Sequence, residues 1–430
     1  MSSKPQLGFA GLGAMGGGMA INLAKNSYPI TGFDVYTPLV DKFVKEGGST
    51  AKPSKTPAEA AKDADFFIIM VANAAQASSL LFDGDDAAIK GIGQGKTVIL
   101  CSTTPPHYLH ELRAALDNAG RKDVKLVDAP VSGGTIRAAN GTLSIFAAGP
   151  EEDVNNAQDV LDCMSGNLYR VEGGISSGTK VKTIHQLLAA TNIISASEAN
   201  GLAATVGLNT QKVFEHVKAN DGTSFMYENR TPHQLADDWS PLSALAIILK
   251  DAGIVTETGR KSQFAMPLAN TAEQLYWQGV QHGYLRDDDA KLVLMYLPSS
   301  KPSLVAEMAS KESNVRMNAS HHVSADTVND LLAGVHLAAS VEALAFCKHL
   351  GMSTKLMYDI ISKAAGWNRM FTTYMEPMLE HDDWTLAKCP GADAVRDRLE
   401  TAVDRAKAIK YPCPMAAAAL QAFYFAELRK

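Results

Sequence analysis

The sequence has 430 residues, more than one hydrophobic core usually holds, so it predicts two or three domains. Hydrophobic residues make up 46% and charged residues 20%, proportions that exclude a disordered or fibrous chain. The formal net charge of −6 offers no basic surface, so we expect neither nucleic acid nor an anionic membrane as a partner.

Cysteine usage and hydropathy indicate where the protein resides. The five cysteines are scattered, and no two are spaced as zinc ligands are. An odd, sparse set argues against a disulfide framework and favours a reducing compartment. No uninterrupted apolar run reaches about 18 residues, so no membrane span is expected. The first strand-like segment begins near Gln6, which leaves no room for a targeting peptide. We therefore predict a cytoplasmic protein without a metal site.

Seven short apolar segments alternate with helix-like stretches over the first 172 residues. The predicted strands are residues 6–11, 30–35, 65–71, 97–102, 125–130, 143–149 and 168–171. Several are continuously apolar, as strands buried on both faces must be. The alternation predicts an α/β Rossmann domain over residues 1–176, with a mostly parallel sheet.

A glycine-rich turn follows the first predicted strand. In the segment GFAGLGAMGGGMAINLA, Gly11, Gly13 and Gly16 have the spacing G-x-G-x-x-G. In a dinucleotide site the first glycine permits a tight turn, the second lets the backbone approach the pyrophosphate, and the third lets helix pack on strand. The predicted cofactor-binding turn consists of Gly11, Leu12, Gly13, Ala14, Met15 and Gly16.

Asp34 lies near the end of the second predicted strand, 23 residues after Gly11. A carboxylate at this place can accept hydrogen bonds from the adenosine ribose and would repel a 2′-phosphate. The next residues, Val35, Tyr36 and Thr37, include no arginine that would attract such a phosphate. NAD is therefore the predicted cofactor, in preference to NADP.

The rest of the chain is alanine-rich, reads as all-helical and contains an internal repeat. Placing residues 187–226 over residues 331–370, an offset of 144, gives nine identities in 40 positions. The shared order of long helix, glycine break and second helix favours duplication over similar composition alone. The predicted parts are a helical domain at 177–300, a linker at 301–323 and a second, degenerate helical domain at 324–430.

Three segments in order resemble the β-hydroxyacid dehydrogenase family: GLGAMGGGMAINL at 11–23, DAPVSGG at 128–134 and GTKVKTIHQLL at 178–188. That family includes 3-hydroxyisobutyrate, tartronate semialdehyde and L-threonate dehydrogenases and, more distantly, 6-phosphogluconate dehydrogenase. The resemblance covers residues 6–297, and LLAGVHLAASVEA at 331–343 is most similar to the L-threonate branch. It implies a Rossmann domain followed by tandem 6-phosphogluconate dehydrogenase-like helical domains.

The resemblance aligns the catalytic lysine of the family with Lys182. On a helix, Lys182, His185 and Gln186 stand at i, i+3 and i+4, which is one face. The implied substrate ligands are Ser132, Gly133, Gly134, His185 and Gln186, and the implied cofactor contacts are Thr103 and Lys250, with Val71, Ala72 and Asn73 at a strand end. His185 is also compatible with a helix histidine that is bonded only within the protein. Lys180, on another face, is interpreted as a surface residue.

The second copy lacks both lysines. Asp326 stands opposite Lys182, and in the offset that fits the end of the chain Asp397 stands opposite Lys250. In single-copy relatives the helical domains pair between subunits and help to close the active sites. We therefore expect an inactive copy that pairs with the first as an intrachain pseudo-dimer, which leaves a homodimer of whole chains open.

The favoured function is NAD-dependent oxidation of a small hydroxy acid of the 3-hydroxyisobutyrate, glycerate or threonate type, with Lys182 as the general base. Three alternatives stay open. A 6-phosphogluconate-like oxidative decarboxylase is favoured by His185 and the doubled helical domain, but the sequence has no clear arginine cluster for a substrate phosphate. An imine reductase is disfavoured because those relatives usually replace the lysine. A non-catalytic NAD-binding scaffold is disfavoured because Lys182 is present.

Overall fold

The computed structural model describes residues 4–312 and 323–428, and the chain divides into two units, residues 1–182 and 183–430. The first unit contains every described strand, and the second is helical. The boundary between them falls within one long helix. The predicted class, an α/β Rossmann domain followed by all-α domains, is confirmed.

The strands are β1 (Leu7–Ala10), β2 (Ile30–Phe33), β3 (Ala51–Pro53), β4 (Phe66–Ile69), β5 (Thr97–Leu100), β6 (Lys125–Asp128), β7 (Val131–Ser132), β8 (Leu143–Ala147) and β9 (Ser165–Arg170). The first helices are α1 (Gly16–Lys25), α2 (Thr37–Gly47), α3 (Pro57–Ala61), α4 (Ala74–Phe82), α5 (Pro106–Asn118), α6 (Gly134–Asn140), α7 (Glu151–Asn156), α8 (Gln158–Met164) and α9 (Ser177–Thr205). The later helices are α10 (Thr210–Ala219), α11 (Phe225–Ala236), α12 (Leu245–Ser262), α13 (Pro267–Gln281), α14 (Leu304–Ala309), α15 (Ala325–His349), α16 (Thr354–Ile361), α17 (Arg369–Met378), α18 (Ala392–Ala408) and α19 (Pro414–Glu427).

Strands β1 to β6 form one parallel sheet in the order β3-β2-β1-β4-β5-β6. Every residue of β1, β4 and β5 is buried, because side chains on both faces of the sheet pack into hydrophobic cores. Leu7 of β1 lies in register with Ile30 and Phe66 of its two neighbours. The strand order reverses between β1 and β4, and α/β sheets bind ligands beyond the carboxyl ends of the strands at such a point.

Each of the seven predicted strands overlaps an observed one, but β3 and β7 are absent from the prediction. Strand β3 has three residues and ends at Pro53, and β7 has two residues. Segments of this length are too short to show a hydrophobic period. Strand β7 pairs antiparallel with β8, and β8 pairs parallel with β9, in a separate small sheet.

The two halves of the helical region have the same order of helices. At the offset of 144, α9, α10 and α11 correspond to α15, α16 and α17; α12 and α13 correspond to α18 and α19 at an offset of 147. The helix caps repeat too, since Asn209 caps α10 where Ser353 caps α16, and Ser224 caps α11 where Asn368 caps α17. Side-chain oxygens at these N-cap positions accept backbone N–H groups that have no partner within the helix.

The two copies contact each other through reciprocal pairs, as two-fold related subunits do. The Phe225 N–H donates to the Trp367 carbonyl at 3.0 Å. The equivalent bond runs the other way, from the Arg369 N–H to the Thr223 carbonyl, also at 3.0 Å. Residues 225 and 369 are partners in the offset of 144, so the contact is self-complementary.

Two buried glutamates at equivalent positions, Glu198 and Glu342, cap helices of the opposite copy. Glu198 accepts two backbone N–H groups at the start of α19, at 2.9 and 3.0 Å. Glu342 accepts two at the start of α13, both at 3.0 Å. Helices α13 and α19 correspond to each other, so these caps form a second reciprocal pair.

These glutamates predict how stability depends on pH. Burial raises the pKa of Glu198 to about 8 and that of Glu342 to about 7, although the N–H donors act in the opposite direction. The folded state then holds the two protons more tightly than the unfolded chain, where glutamate titrates near 4.5. Their stabilising contribution is complete below that value and is lost as the pH rises towards 8.

We therefore expect the free energy of unfolding, from urea titrations, to fall between about pH 5 and about pH 8. In the Glu198→Gln/Glu342→Gln double variant it should fall less steeply, since glutamine does not ionise. Equal slopes for the two proteins would refute this origin of the pH dependence.

Part of the predicted linker is packed against the first helical copy. Helix α14 lies within residues 301–323, and its Leu304, Val305 and Met308 are buried. The Thr210 hydroxyl of α10 donates to the Val305 carbonyl at 2.6 Å. Residues 313–322 of the predicted linker lie outside the described residues.

Among residues 4–312 and 323–428, one helix, α15, is long and apolar enough to cross a membrane by length and mean hydropathy. Its most apolar window is 89% buried inside the protein. Such burial is typical of the core helix of a helical domain.

Candidate active site

The glycine-rich turn between β1 and α1 has the geometry of a phosphate cradle. Gly11 has a φ of +93°, and a Cβ on it would stand 2.3 Å from the Met70 carbonyl oxygen, so only glycine fits. A Cβ on Gly13 would meet nothing within 4 Å, so the backbone there is open to a ligand. No side chain caps the start of α1 at Gly16, which leaves a helix N-terminus facing the turn. The residues present therefore fit a dinucleotide pyrophosphate.

Asp34 follows β2 and ties this turn to the second strand. Its carboxylate accepts the Leu12 N–H at 2.7 Å and the Tyr36 N–H at 2.9 Å. Each carboxylate oxygen keeps further acceptor capacity for a ribose hydroxyl. Val35 is 88% exposed and Tyr36 is 62% exposed, so an approaching 2′-phosphate would meet a carboxylate and two uncharged side chains. This arrangement fits an NAD ribose.

The ends of β4 and β5 border the same edge of the sheet. The Val71 N–H donates to the buried Ser102 hydroxyl at 2.8 Å, which joins the two strand ends. The Ala72 N–H donates to the Gln76 side chain at 3.0 Å, while Asn73 caps α4. Thr103 follows directly after Ser102. These predicted cofactor contacts therefore lie along the carboxyl edge that carries the glycine-rich turn.

The Ser132-Gly133-Gly134 segment runs from the last residue of β7 to the first residue of α6. Ser132 is buried, whereas both glycines are exposed. Gly133 has a φ of +138° and Gly134 a φ of +74°, which turns the chain sharply there. The loop thus presents backbone amides and one hydroxyl of the kind that hold a carboxylate.

Lys182 lies in the second turn of α9 and is 6% exposed. The start of this helix is anchored by Asp128 at the end of β6, whose two oxygens accept the Thr179 N–H at 2.7 Å and the Thr179 hydroxyl at 2.6 Å. Burial raises the pKa of Asp128 to about 7. A Cβ on Gly178 would collide with the Phe146 carbonyl oxygen at 2.1 Å, so the helix start approaches β8 closely. Asp128 was not among the predicted site residues, although it is the first residue of the DAPVSGG segment.

In the second unit, four predicted or neighbouring residues form one chain of polar contacts. His185 Nδ1 lies 2.9 Å from Gln186 Oε1. The Gln186 amide donates to Asp251, and Lys250 Nζ lies 3.0 Å from the other oxygen of Asp251. The structure thus brings together His185, Gln186 and Lys250. The Gln186–Asp251 bond in this series joins residues that are 65 positions apart in the sequence.

A fifth residue in this series of polar contacts, Gly366, comes from the second copy. The Gly366 N–H donates to His185 Nε2 at 3.1 Å. Sequence reasoning missed Gly366, although it is one of the nine identities of the repeat, with Gly222. Lys180, interpreted as a surface residue, is half-buried.

Two family models match this chain. Residues 6–173 match the NAD binding domain of 6-phosphogluconate dehydrogenase. Residues 176–296 and 324–429 match, in two segments, the NAD-binding domain of NADP-dependent 3-hydroxyisobutyrate dehydrogenase. The second model therefore matches both halves of the helical region.

Individual relatives agree with these matches. An L-threonate dehydrogenase of Cupriavidus necator is 36% identical over 290 residues, which is 67% of this chain and 95% of that protein. The crystal structure of a 3-hydroxyisobutyrate dehydrogenase from Salmonella typhimurium, 33% identical, superposes with a TM-score of 0.62 over 68% of this chain and 100% of that chain. The 6-phosphogluconate dehydrogenase of Plasmodium falciparum, 14% identical, has a TM-score of 0.69 over 99% of this chain and 93% of that chain, which shows a shared fold.

Proposed function

This chain belongs to the β-hydroxyacid dehydrogenase family, and from that premise we propose that it oxidises a small hydroxy acid of the L-threonate type with NAD. The observation that carries the proposal is Lys182, a buried lysine on a helix whose start is anchored by Asp128. Burying a lysine is costly, so a helix that served packing alone would not favour one here, and this supports an enzyme over a non-catalytic scaffold. The similarity to an L-threonate dehydrogenase supports the substrate class.

The proposed chemistry assigns one role to each group. Bound NAD supplies the hydride acceptor, so the C–H bond of the alcohol carbon breaks with its electron pair leaving as hydride. The Nζ of Lys182, in its neutral form, accepts the hydroxyl proton as the carbonyl forms. The Ser132 hydroxyl and the amides of Gly133 and Gly134 hold the substrate carboxylate. Residues 11–16 and Asp34 bind the pyrophosphate and the ribose.

We further infer that the second helical copy takes the place of a partner subunit, as an intrachain pseudo-dimer. The reciprocal backbone bonds and the exchanged glutamate caps support this inference. The second copy carries Asp326 and Asp397 where the first has its two lysines, so it provides a packing surface without a second catalytic base.

The test is NADH formation by the purified protein with L-threonate, D-threonate, D-glycerate, 3-hydroxyisobutyrate, L-serine and 6-phosphogluconate. We expect the highest kcat/KM with L-threonate, and NAD to be used in preference to NADP. The absorbance of the reduced cofactor, NADH or NADPH, measures both comparisons directly.

Other outcomes would change the assignment. A preference for 6-phosphogluconate with release of carbon dioxide would move the protein to the oxidative decarboxylases. No turnover of any of these acids, with NAD still bound by calorimetry, would count against a hydroxy-acid substrate of this size.

A further inference from the structure

We infer that the Gly366 N–H, which belongs to the second helical copy, positions His185 in the first copy and determines which nitrogen of its ring carries the hydrogen. His185 is then a positioning residue for its neighbours and not a direct substrate ligand. This inference rests on the proposed function, because it concerns the same site. It gives the lysine-free copy a specific part in the active site beyond packing.

The direction of each hydrogen bond follows from the Gly366 end. A backbone N–H can only donate, so His185 Nε2, 3.1 Å away, must be the bare, accepting nitrogen. The hydrogen of a neutral ring is then on Nδ1. That nitrogen faces Gln186 Oε1 at 2.9 Å and donates to it. A second proton on Nε2 would place two donors against each other.

At the other end of this series of hydrogen bonds, the contacts of Asp251 require the same direction for the bond between His185 and Gln186. Asp251 is 4% exposed and lies 3.0 Å from Lys250 Nζ, an arrangement of carboxylate and ammonium. A carboxylate only accepts, so the Gln186 side chain must donate its amide group to Asp251. The oxygen of Gln186 is thereby turned towards His185. Two independent ends thus specify one tautomer, with hydrogen on Nδ1.

Gly366 packs tightly against His185, so a larger residue at position 366 would displace its neighbour by a few tenths of an ångström. A Cβ on Gly366 would stand 3.1 Å from the His185 carbonyl oxygen and 3.4 Å from the ring carbon Cδ2. His185 is 1% exposed, so bulk water does not replace this donor. Asn192, two turns further along α9, donates its amide to the Gly366 carbonyl at 3.3 Å, so both backbone polar groups of Gly366 are held by side chains of α9.

The equivalent contact in the second copy, related by the pseudo-two-fold symmetry, shows which features of the contact serve packing and which are specific to the copy that carries Lys182. At the offset of 144, Asn329 replaces His185, and its side-chain oxygen accepts the Gly222 N–H at 2.8 Å. The following interaction also differs. An ion pair between Asp330 and Arg398, at 2.8 Å, stands in the second copy where the first has the Gln186–Asp251 hydrogen bond. Packing therefore needs only an acceptor opposite the glycine. The series of hydrogen bonds that runs from Gly366 through His185 and Gln186 to Asp251 occurs at the copy that carries Lys182.

The first experiment reads the tautomer without turnover. We would label histidine with 15N in the full-length protein and identify the His185 signals by their loss in His185→Asn, a variant that retains an acceptor for the Gly366 N–H. Protonated and bare ring nitrogens have well-separated 15N shifts. We expect hydrogen on Nδ1 and a bare Nε2. Hydrogen on Nε2, or exchange between both forms, would overturn the inference.

The second experiment removes only the donor. Replacing Gly366 by glycolic acid exchanges its N–H for an ester oxygen and leaves every side chain unchanged. The loss of one hydrogen bond should lower kcat by about three- to tenfold, with the KM for NAD unchanged and the His185 signals shifted to mixed tautomers. The matched control is Asn329→Ala, which breaks the equivalent bond from the Gly222 N–H to Asn329 of the lysine-free copy and should leave kcat unchanged.

The results separate the two proposals. A normal kcat in the ester variant, or an equal loss of kcat in Asn329→Ala, would mean that the Gly366 contact serves packing alone. If none of the hydroxy acids is oxidised, the proposed function fails, while the tautomer measurement still decides the positioning of His185.

Discussion

Replacing Lys182 by methionine should lower kcat with the best hydroxy acid by about 10²- to 10⁴-fold, the usual contribution of a positioned general acid or base. Methionine keeps the length and apolar stem of the side chain but cannot accept the hydroxyl proton. The stem is buried, so a neutral replacement should not unfold α9. Stopped-flow or steady-state formation of NADH measures the effect.

The matched control is Lys180→Met, two residues earlier on the same helix and half-buried. It removes an amino group of the same kind from another face of α9 and should retain kcat within about twofold, as substitutions away from the chemistry usually do. NAD binding, followed by calorimetry, should be unchanged in both variants. Comparable losses of kcat in the two variants would show that losing a lysine from this part of α9, and not base catalysis at Lys182, explains the effect.

Asp34→Ala should reduce the preference for NAD over NADP by about 100-fold, measured as the ratio of the two kcat/KM values. The variant loses the acceptor for the ribose hydroxyls and removes the charge that would repel a 2′-phosphate. It also releases the N–H groups of Leu12 and Tyr36, so we expect most of the loss in the KM for NAD.

Asp41→Ala serves as the control for this experiment. Asp41 is exposed on α2, so the variant changes the net charge equally without touching the glycine-rich turn. The double variant Asp34→Ala/Val35→Arg, which adds a cation at an exposed position, should favour NADP further. An unaltered cofactor ratio in Asp34→Ala would exclude this carboxylate as the ribose ligand.

The Rossmann half of the molecule could be predicted well because its signals are local. Continuous apolar runs predict strands buried on both faces, and the run at residues 65–71 contains all four buried residues of β4. The glycine spacing could be interpreted for a similar reason. A φ of +93° at Gly11 is a property of the backbone that one residue type meets at little cost.

The site in the helical region was predicted only in part. Lys182, His185 and Gln186 share a helix face, and helical periodicity alone places them there. The orientation of His185 could not be predicted, since it depends on a bond to Gly366, 181 residues away. The anchoring of α9 by Asp128 likewise joins residues 51 apart in the chain.

By itself, the sequence determined the α/β-then-helical order and the glycine-rich turn, and it predicted NAD as the cofactor and a duplication of the helical region, because each of these depends on residue types at fixed short spacings. Only the tertiary structure decided how the duplicated helices are used. The exchanged caps of Glu198 and Glu342 and the bond from Gly366 to His185 form between segments distant in sequence. No local pattern encodes them, because a buried acceptor or donor takes its partner from whichever element packs against it.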